Sequence, residues 1–279
     1  MMRTQPDAEI GIQAASLAGE LLLQLRQAAV TGEVASVALN ADALRAAGDR
    51  DANHAIMKLL ANERPEDSLL SEEAADDPRR LIVDRVWIID PLDGTREFGE
   101  RDAAGVWRDD FAVHVALWER GQGLTLGVVG LPARGVIYSS DAPPAVPPSP
   151  TGKLRIAVSR TRPPAFITAL ESAGSATLVP MGSAGVKVMA VASGEVDAYI
   201  HAGGQYQWDS AAPVAVALAA GLVATRLDGS PLRYNVPELL LPDLVVCHPD
   251  RADEVRAILD AAGFGLDGAS GAGAAESAG

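Results

Sequence analysis

The run Trp87-Ile88-Ile89-Asp90-Pro91-Leu92-Asp93-Gly94-Thr95 sets two carboxylates at the end of an apolar stretch, with a proline and a leucine between them. A buried strand ending there would deliver Asp90 at its tip. Pro91 removes a ladder donor, and Asp93-Gly94 asks for a tight turn. That geometry turns both carboxylates and the Leu92 carbonyl toward one point. If a helix begins after Gly94, the N–H groups of Gly94 and Thr95 form a cradle for an anion. An all-oxygen donor set suits Mg²⁺, which takes a few carboxylates and completes its shell with water and phosphate. The same letters also describe an ordinary surface turn, because Pro-x-Asp-Gly commonly follows a strand.

Two further acidic positions bear on that choice. Glu72, in Ser71-Glu72-Glu73, follows the apolar pair Leu69-Leu70, and Asp209 directly follows Trp208 and precedes an Ala-rich stretch. Asp209 reads equally well as a helix N-cap. Glu72 and Glu73, with Asp76 and Asp77 close behind, read equally well as a solvated run. Periodicity leaves open whether Glu72, Asp90, Asp93 and Asp209 converge.

The elements that must position these groups follow from the pattern. Leu17, Leu21 and Leu25 recur at i, i+4 and i+8 within 12–26, the stripe of an amphipathic helix; Ile56, Leu59 and Leu60 mark a second over 51–63. The stretch 81–90 turns extended, and Val86 to Ile89 form the continuous apolar run of a buried strand. The β-rich runs 111–118 and 124–131 flank a Gly-containing pentapeptide and predict a hairpin. Gly121, Gly123 and Gly127 do not fit a dinucleotide-binding spacing and are expected as turn and strand glycines. Five prolines between 143 and 152 exclude regular structure there. Beyond them strand 154–159, helix 164–173, helix 183–193 with Val186, Met189 and Ala190 on one face, helix 210–220 and a strand ending at Val245 and Val246 alternate. A last helix over 250–262 takes Asp250 as its cap. Residues 265–279, rich in Gly, Ala and Ser, are expected to be disordered. The organisation expected is an N-terminal α+β domain over 1–142, a Pro-rich connection over 143–152, and a C-terminal α/β domain over 153–264.

Composition excludes several classes. Of 279 residues 48% are hydrophobic and 22% charged, as in a folded globular chain. Thirty-seven acids against 23 bases give a formal charge of −14, a field that repels nucleic-acid backbone and anionic lipid. A small anionic substrate remains compatible if cations are bound locally. The single cysteine, Cys247, excludes an internal disulfide framework, and no stretch reads as a signal peptide or membrane span, so a cytoplasmic protein is expected. His54, His114, His201 and His248 lack zinc spacing and are expected as surface or core residues. Ser159 lacks the context of a serine nucleophile.

With these residues in place, the chain resembles the inositol monophosphatase-like superfamily of Mg²⁺-dependent, lithium-sensitive phosphatases. The signatures W-x-(I/V)-D-P-(I/L)-D-G-T and W-D-x-A stand in full at Trp87 to Thr95 and Trp208 to Ala211, in order and with an acidic pair upstream. The likeness runs from the first helix to about residue 263. Within the superfamily, Arg96-Glu97-Phe98 after the Asp-Gly-Thr, Val158-Ser159-Arg160, and Gly182-Ser183 with Lys187 are similar to the CysQ-type 3′(2′),5′-bisphosphate nucleotidases. Three positions depart from relatives. Ser71 stands for a usual glycine, Ala202 for the glutamate that binds inositol hydroxyls, and Pro213 for a glycine after the second block.

The resemblance implies a layered αβαβα sandwich of α+β and α/β character and a two- or three-ion Mg²⁺ site, with Mn²⁺ able to substitute. Glu72, Asp90, the Leu92 carbonyl, Asp93 and Asp209 would be the metal ligands. Clustered carboxylates repel one another unless cations neutralise them, which gives such a set its physical reason. Glu72 and Thr95 would orient the attacking water, with Asp49 beside them. Gly94 and Thr95 would hold the phosphate, and Asp209 would assist the leaving group. Ser159, Arg160, Ser183 and Lys187 would contact the nucleotide. The implied reaction removes the 3′-phosphate of adenosine 3′,5′-bisphosphate, a by-product of sulfate assimilation. A broader inositol-phosphate or fructose 1,6-bisphosphate phosphatase, and a non-catalytic metal- or nucleotide-binding regulator, are the alternatives. A homodimer is the oligomer the resemblance implies, with neither nucleic acid nor membrane as partner.

Overall fold

A computed structural model describes residues 5–31 and 40–265, so the tail expected to be disordered lies, from residue 266 on, outside the described residues. Two long helices open the fold. The first, α1 (Asp7–Thr31), is longer than its leucine stripe predicts, and the stripe is not what it buries. Ile10, Ala14, Ala18 and Leu22 are fully buried, whereas Leu17 is 38% exposed and Leu21 and Leu25 are half-buried. Small side chains let α1 lie close to a sheet, so alanine spacing, not leucine spacing, marks the inner face. The second helix, α2 (Ala41–Glu63), starts ten residues before the expected 51–63, where the Asn40 side chain accepts from the Asp42 N–H. Asp49 therefore sits inside a helix.

The first sheet has the order β1 (Ser68–Ser71), β2 (Arg85–Asp93), β3 (Ala112–Glu119), β4 (Gly123–Leu131) and β5 (Val136–Ser139). Its first pair is parallel and the others antiparallel, with the expected hairpin at β3–β4. Leu81 closes a 3₁₀ turn, and the strand expected from 81 begins only at Arg85. Pairing of β2 with β3 does not stop at Pro91: a bulge spans Pro91 and Leu92, and Asp93 pairs again with Ala112. A short helix, α3 (Thr95–Phe98), follows at once.

The second sheet has the order β7 (Ala176–Met181), β6 (Leu154–Ser159), β8 (Ala198–Tyr206), β10 (Leu240–Cys247) and β9 (Val223–Thr225). Pro180 is tolerated in β7 because that strand lies at the edge. The helices here are α4 (Ala165–Ser172), α5 (Ala184–Ala192), α6 (Gln207–Ala219) and α7 (Ala252–Ala261). Every residue of α5 is buried, so the single face expected from Val186, Met189 and Ala190 is too narrow. The final helix is preceded by a 3₁₀ turn, and its entry is capped by the His248 ring, which accepts from the Asp250 N–H, not by Asp250.

Alternation along the strands sorts the core into layers. Trp87 and Ile89 face α1 and α2, while Val86 and Ile88 face α5 and α6. Tyr199, Leu244 and Val246 meet that same middle layer from the second sheet, and Ile200, Val245 and Cys247 face α4 and α7. The architecture is the expected αβαβα sandwich. Gly127 serves its close packing: a Cβ there would lie 2.4 Å from the Ala212 carbonyl of α6. Residues 143–150 have no regular structure, and a domain boundary there remains a proposal, since the middle apolar layer is common to both sheets.

Candidate active site

Four elements end at one place. β2 delivers Asp90, and β1 runs into Glu72, whose N–H donates to the Ile89 carbonyl at 3.2 Å. The bulge carries Asp93, and the first turn of α6 carries Asp209. Burial, followed by the charges of Glu72, Asp93 and Asp209, drives the Asp90 carboxyl well above the usual carboxylate range. Burial and neighbouring acids likewise push Glu72 up to about 7 and Asp209 to about 8. Glu72 as a residue is open to solvent, yet its carboxyl faces Asp90 and Asp93, so its local surroundings govern its proton affinity. The four acids therefore share one electrostatic neighbourhood.

Each is aimed by a specific contact. Asp90 Oδ1 accepts from the Leu92 N–H at 3.0 Å, while Asp90 Oδ2 is buried without a hydrogen-bond partner. Asp93 Oδ2 accepts from the Ser183 hydroxyl and from the Gly185 N–H, the latter at 2.7 Å. Asp209 is not the N-cap of α6. It lies in the first turn and accepts from the Tyr206 N–H at 2.7 Å, because the helix starts at Gln207 and not at the expected 210. Pro213 falls inside α6 and lines no part of the cleft beside the acids; it leaves the Asp209 carbonyl without its i+4 donor. Ser71 uses its hydroxyl to bind Asn53 of α2 at 2.8 Å, which ties the end of β1 down just before Glu72.

Thr95 opens α3 behind Gly94, whose φ of +87° only glycine adopts without strain. Its hydroxyl lies 3.0 Å from the Leu92 carbonyl and 3.2 Å from Asp49 Oδ1. Burial and the charge of Glu73 raise Asp49 to about 6 against the lowering effect of the Thr95 bond, so at neutrality the carboxylate form that accepts from Thr95 prevails.

A cleft of about 260 Å³ opens beside Asp93 and Asp209, walled by Ser159, Gly182, Ser183, Lys187, Arg162 and His201 among others. Lys187 is buried, its Nζ donates to the Gly182 carbonyl at 3.2 Å and lies 5.2 Å from the Tyr199 ring centre, and burial lowers its pKa. Arg160 is not on the wall. Its guanidinium is engaged by Glu97 and Asp110. Sequence reasoning missed Arg162 and His201, which are neighbours in the cleft without being neighbours in any motif. His114 is a core residue, one of the two expected alternatives, but its contacts were not foreseen: its Nδ1 is 3.3 Å from the Trp208 carbonyl and its Nε2 is 3.3 Å from Asp93 Oδ2.

Among the described residues no three acidic or imidazole groups are drawn together as a ready ligand set for an ion. The donor chemistry nevertheless fits a hard divalent cation: the four acids offer oxygen, Asp90 Oδ2 is orphaned, and among the described residues no arginine or lysine forms an ion pair with Glu72, Asp90 or Asp209.

An αβαβα sandwich carrying converging carboxylates beside an anion-sized cleft defines a phosphatase-type fold and site. The chain belongs to the inositol monophosphatase family, whose model matches residues 3–260. It is 51% identical over 247 residues to a 3′-phosphoadenosine 5′-phosphate phosphatase of Mycobacterium bovis, covering 84% of this chain and 86% of that one. It is 33% identical to the 3′(2′),5′-bisphosphate nucleotidase CysQ of Escherichia coli O157:H7, covering 82% and 94%. Among solved structures, CysQ from Bacteroides thetaiotaomicron superposes with a TM-score of 0.72 at 28% identity, covering 88% of this chain and 98% of that one.

Proposed function

We propose that this chain hydrolyses the 3′-phosphate of adenosine 3′,5′-bisphosphate, giving AMP and inorganic phosphate. The observation that supports the hydrolytic part is the mutual electrostatic influence of Glu72, Asp90, Asp93 and Asp209, two of which, Asp93 and Asp209, line a cleft also walled by Lys187 and Arg162. The names of the relatives support the nucleotide as substrate. Two or three Mg²⁺ ions would be held by Glu72, Asp90, the Leu92 carbonyl, Asp93 and Asp209. When bound, they supply charge neutralisation for the phosphate and a lowered pKa for water.

The chain's own residues do the rest. Glu72 and Thr95 orient the attacking water, with Asp49 beside them accepting from the Thr95 hydroxyl. The Gly94 and Thr95 amides hold the phosphate. Asp209 stands on the leaving-group side, fixed by the Tyr206 N–H. Ser159, Ser183 and Lys187 contact the nucleotide.

The test is kcat/KM with Mg²⁺ for adenosine 3′,5′-bisphosphate, inositol 1-phosphate and fructose 1,6-bisphosphate side by side. A preference for the nucleotide of about a hundredfold, some 2.7 kcal/mol of transition-state discrimination, is expected. Comparable values for all three would make it a phosphatase of broad specificity. No release of phosphate from any of them would leave a binding protein.

A further inference from the structure

Gly182, between β7 and α5, is held at both its N–H and its carbonyl by charged side chains. Its N–H donates to Asp110 Oδ2 at 2.7 Å, and its carbonyl accepts from Lys187 Nζ at 3.2 Å. A Cβ at this position would lie 2.4 Å from Glu97 Cγ and 2.9 Å from the Asp110 carbonyl, so only glycine permits the approach. The next residue, Ser183, is held at φ +50°, a conformation that persists in a non-glycine residue only where its surroundings over-determine it. From there its hydroxyl donates to Asp93 Oδ2, and the Gly185 N–H donates to the same oxygen. The first turn of α5 thus aims Asp93, and Gly182 anchors that turn.

Asp110 is in turn fixed by Arg160. The guanidinium spans Glu97 Oε1, at 3.1 Å, and Asp110 Oδ2, the atom that also receives the Gly182 N–H. Because one oxygen carries both bonds, a shift of Arg160 moves the anchor of Gly182. Glu97 comes from α3, Asp110 from the chain just before β3, and Arg160 from just past β6, so the fork joins the two sheets beside the cleft. Glu97 and Asp110 are both buried, and Arg160 lines no part of the cleft wall. A planar fork with two donors in fixed geometry is suited to holding two carboxylates at once, which a lysine is not.

We infer that Arg160 is a positioning residue: through Asp110 and Gly182 it sets Ser183 and Gly185 on Asp93, and it does not touch the substrate. The inference rests on the reading of Asp93 as a cation ligand. Arg160→Gln and Asp110→Asn, made singly and together in the full chain, test it by calorimetric Mg²⁺ titration and by kinetics on adenosine 3′,5′-bisphosphate. Each single variant is expected to weaken Mg²⁺ binding about tenfold and to leave KM within about twofold, while kcat at fixed Mg²⁺ falls. The double variant should be no worse than the worse single one, since both break one chain of contacts. Arg160→Lys keeps the charge and loses the fork, so it should resemble Arg160→Gln in Mg²⁺ binding; it serves if the glutamine variant does not fold. A tenfold rise in KM with unchanged Mg²⁺ affinity would make Arg160 a substrate contact and overturn the inference, as would additive losses or a lysine variant that matches the parent. A parent protein that binds Mg²⁺ and turns over keeps the proposed function intact in those cases; one that does neither removes the function itself.

Discussion

Two groups of acids in this chain meet opposite fates. Asp197 and Asp110 each face an arginine. Arg155 makes charge-assisted bonds to both Asp197 oxygens, at 2.7 and 3.1 Å, and Arg160 grips Asp110. Although burial works to raise both acids, their partners' hydrogen bonds and charge hold them below the ordinary carboxylate range. At the site, Asp90, Glu72 and Asp209 have one another and Asp93 as their main charged neighbours, and burial of their carboxyls together with those charges drives all three upward. The difference is not in residue type but in what the fold puts opposite. A chain of net charge −14 that spends arginines on Asp197 and Asp110 and none on Asp90 leaves a place for cations from solution.

The contrast is broken most sharply at Asp90. Asp90→Asn should cut turnover at least about a thousandfold by removing a metal ligand, while the metal-free protein melts no lower than its parent, because a like-charge repulsion is relieved. Steady-state rates and melting curves in chelator check both halves; near-parent rates would end the metal-site assignment. The mirror experiment is Asp197→Asn. It should lower stability by about 2–3 kcal/mol with or without Mg²⁺, since Arg155 is left partly buried and unpaired; denaturant unfolding measures it.

Lys187→Ala comes next. It should reduce kcat/KM for the bisphosphate about tenfold and inositol 1-phosphate turnover by less. Equal losses on the two substrates would take Lys187 out of the nucleotide site.

The smallest effect is one of pH. Asp49, Glu72 and Asp209 have folded pKa values of about 6, 7 and 8, above the roughly 4 of unfolded carboxylates. The metal-free folded protein therefore binds more protons than the unfolded chain, and these groups' stabilisation is lost as pH rises through 6 to 8. Asp197 and Asp110 act in the opposite sense: their contribution is present above the unfolded pKa and is lost as pH falls through their lowered values. The rise in Tm on adding Mg²⁺ should be larger at pH 8 than at pH 6, by a few degrees. An equal rise at both would mean that cations do not replace those protons.

Much of this was legible in the sequence because it is local. The block from Trp87 to Thr95 encodes a buried strand, a bulge and a glycine turn in consecutive residues, and hairpin, proline cluster and strand–helix alternation announce themselves at short range. Inner faces were harder to read. In α1 the buried stripe is Ile10, Ala14, Ala18 and Leu22, because close approach to the sheet selects small side chains over the leucines that hydrophobicity favours. The start of α6 at Gln207 depended on Tyr206 and Asp209 meeting across a turn, which moved Asp209 from cap to first turn.

By itself the sequence determined the carboxylate block, the acidic balance, the layered α/β class and the family. Only the tertiary structure decided which charges meet. Pairing across the two sheets turned Arg160 inward to Glu97 and Asp110, left Arg162 and His201 at the cleft, and set the His114 ring against Asp93. The reason is physical. A side chain's chemistry is fixed by its type, but its charge state and its role depend on what lies within a few ångströms, and here such neighbours lie 90 residues and more away in the chain, as Ser183 and Gly185 do from Asp93.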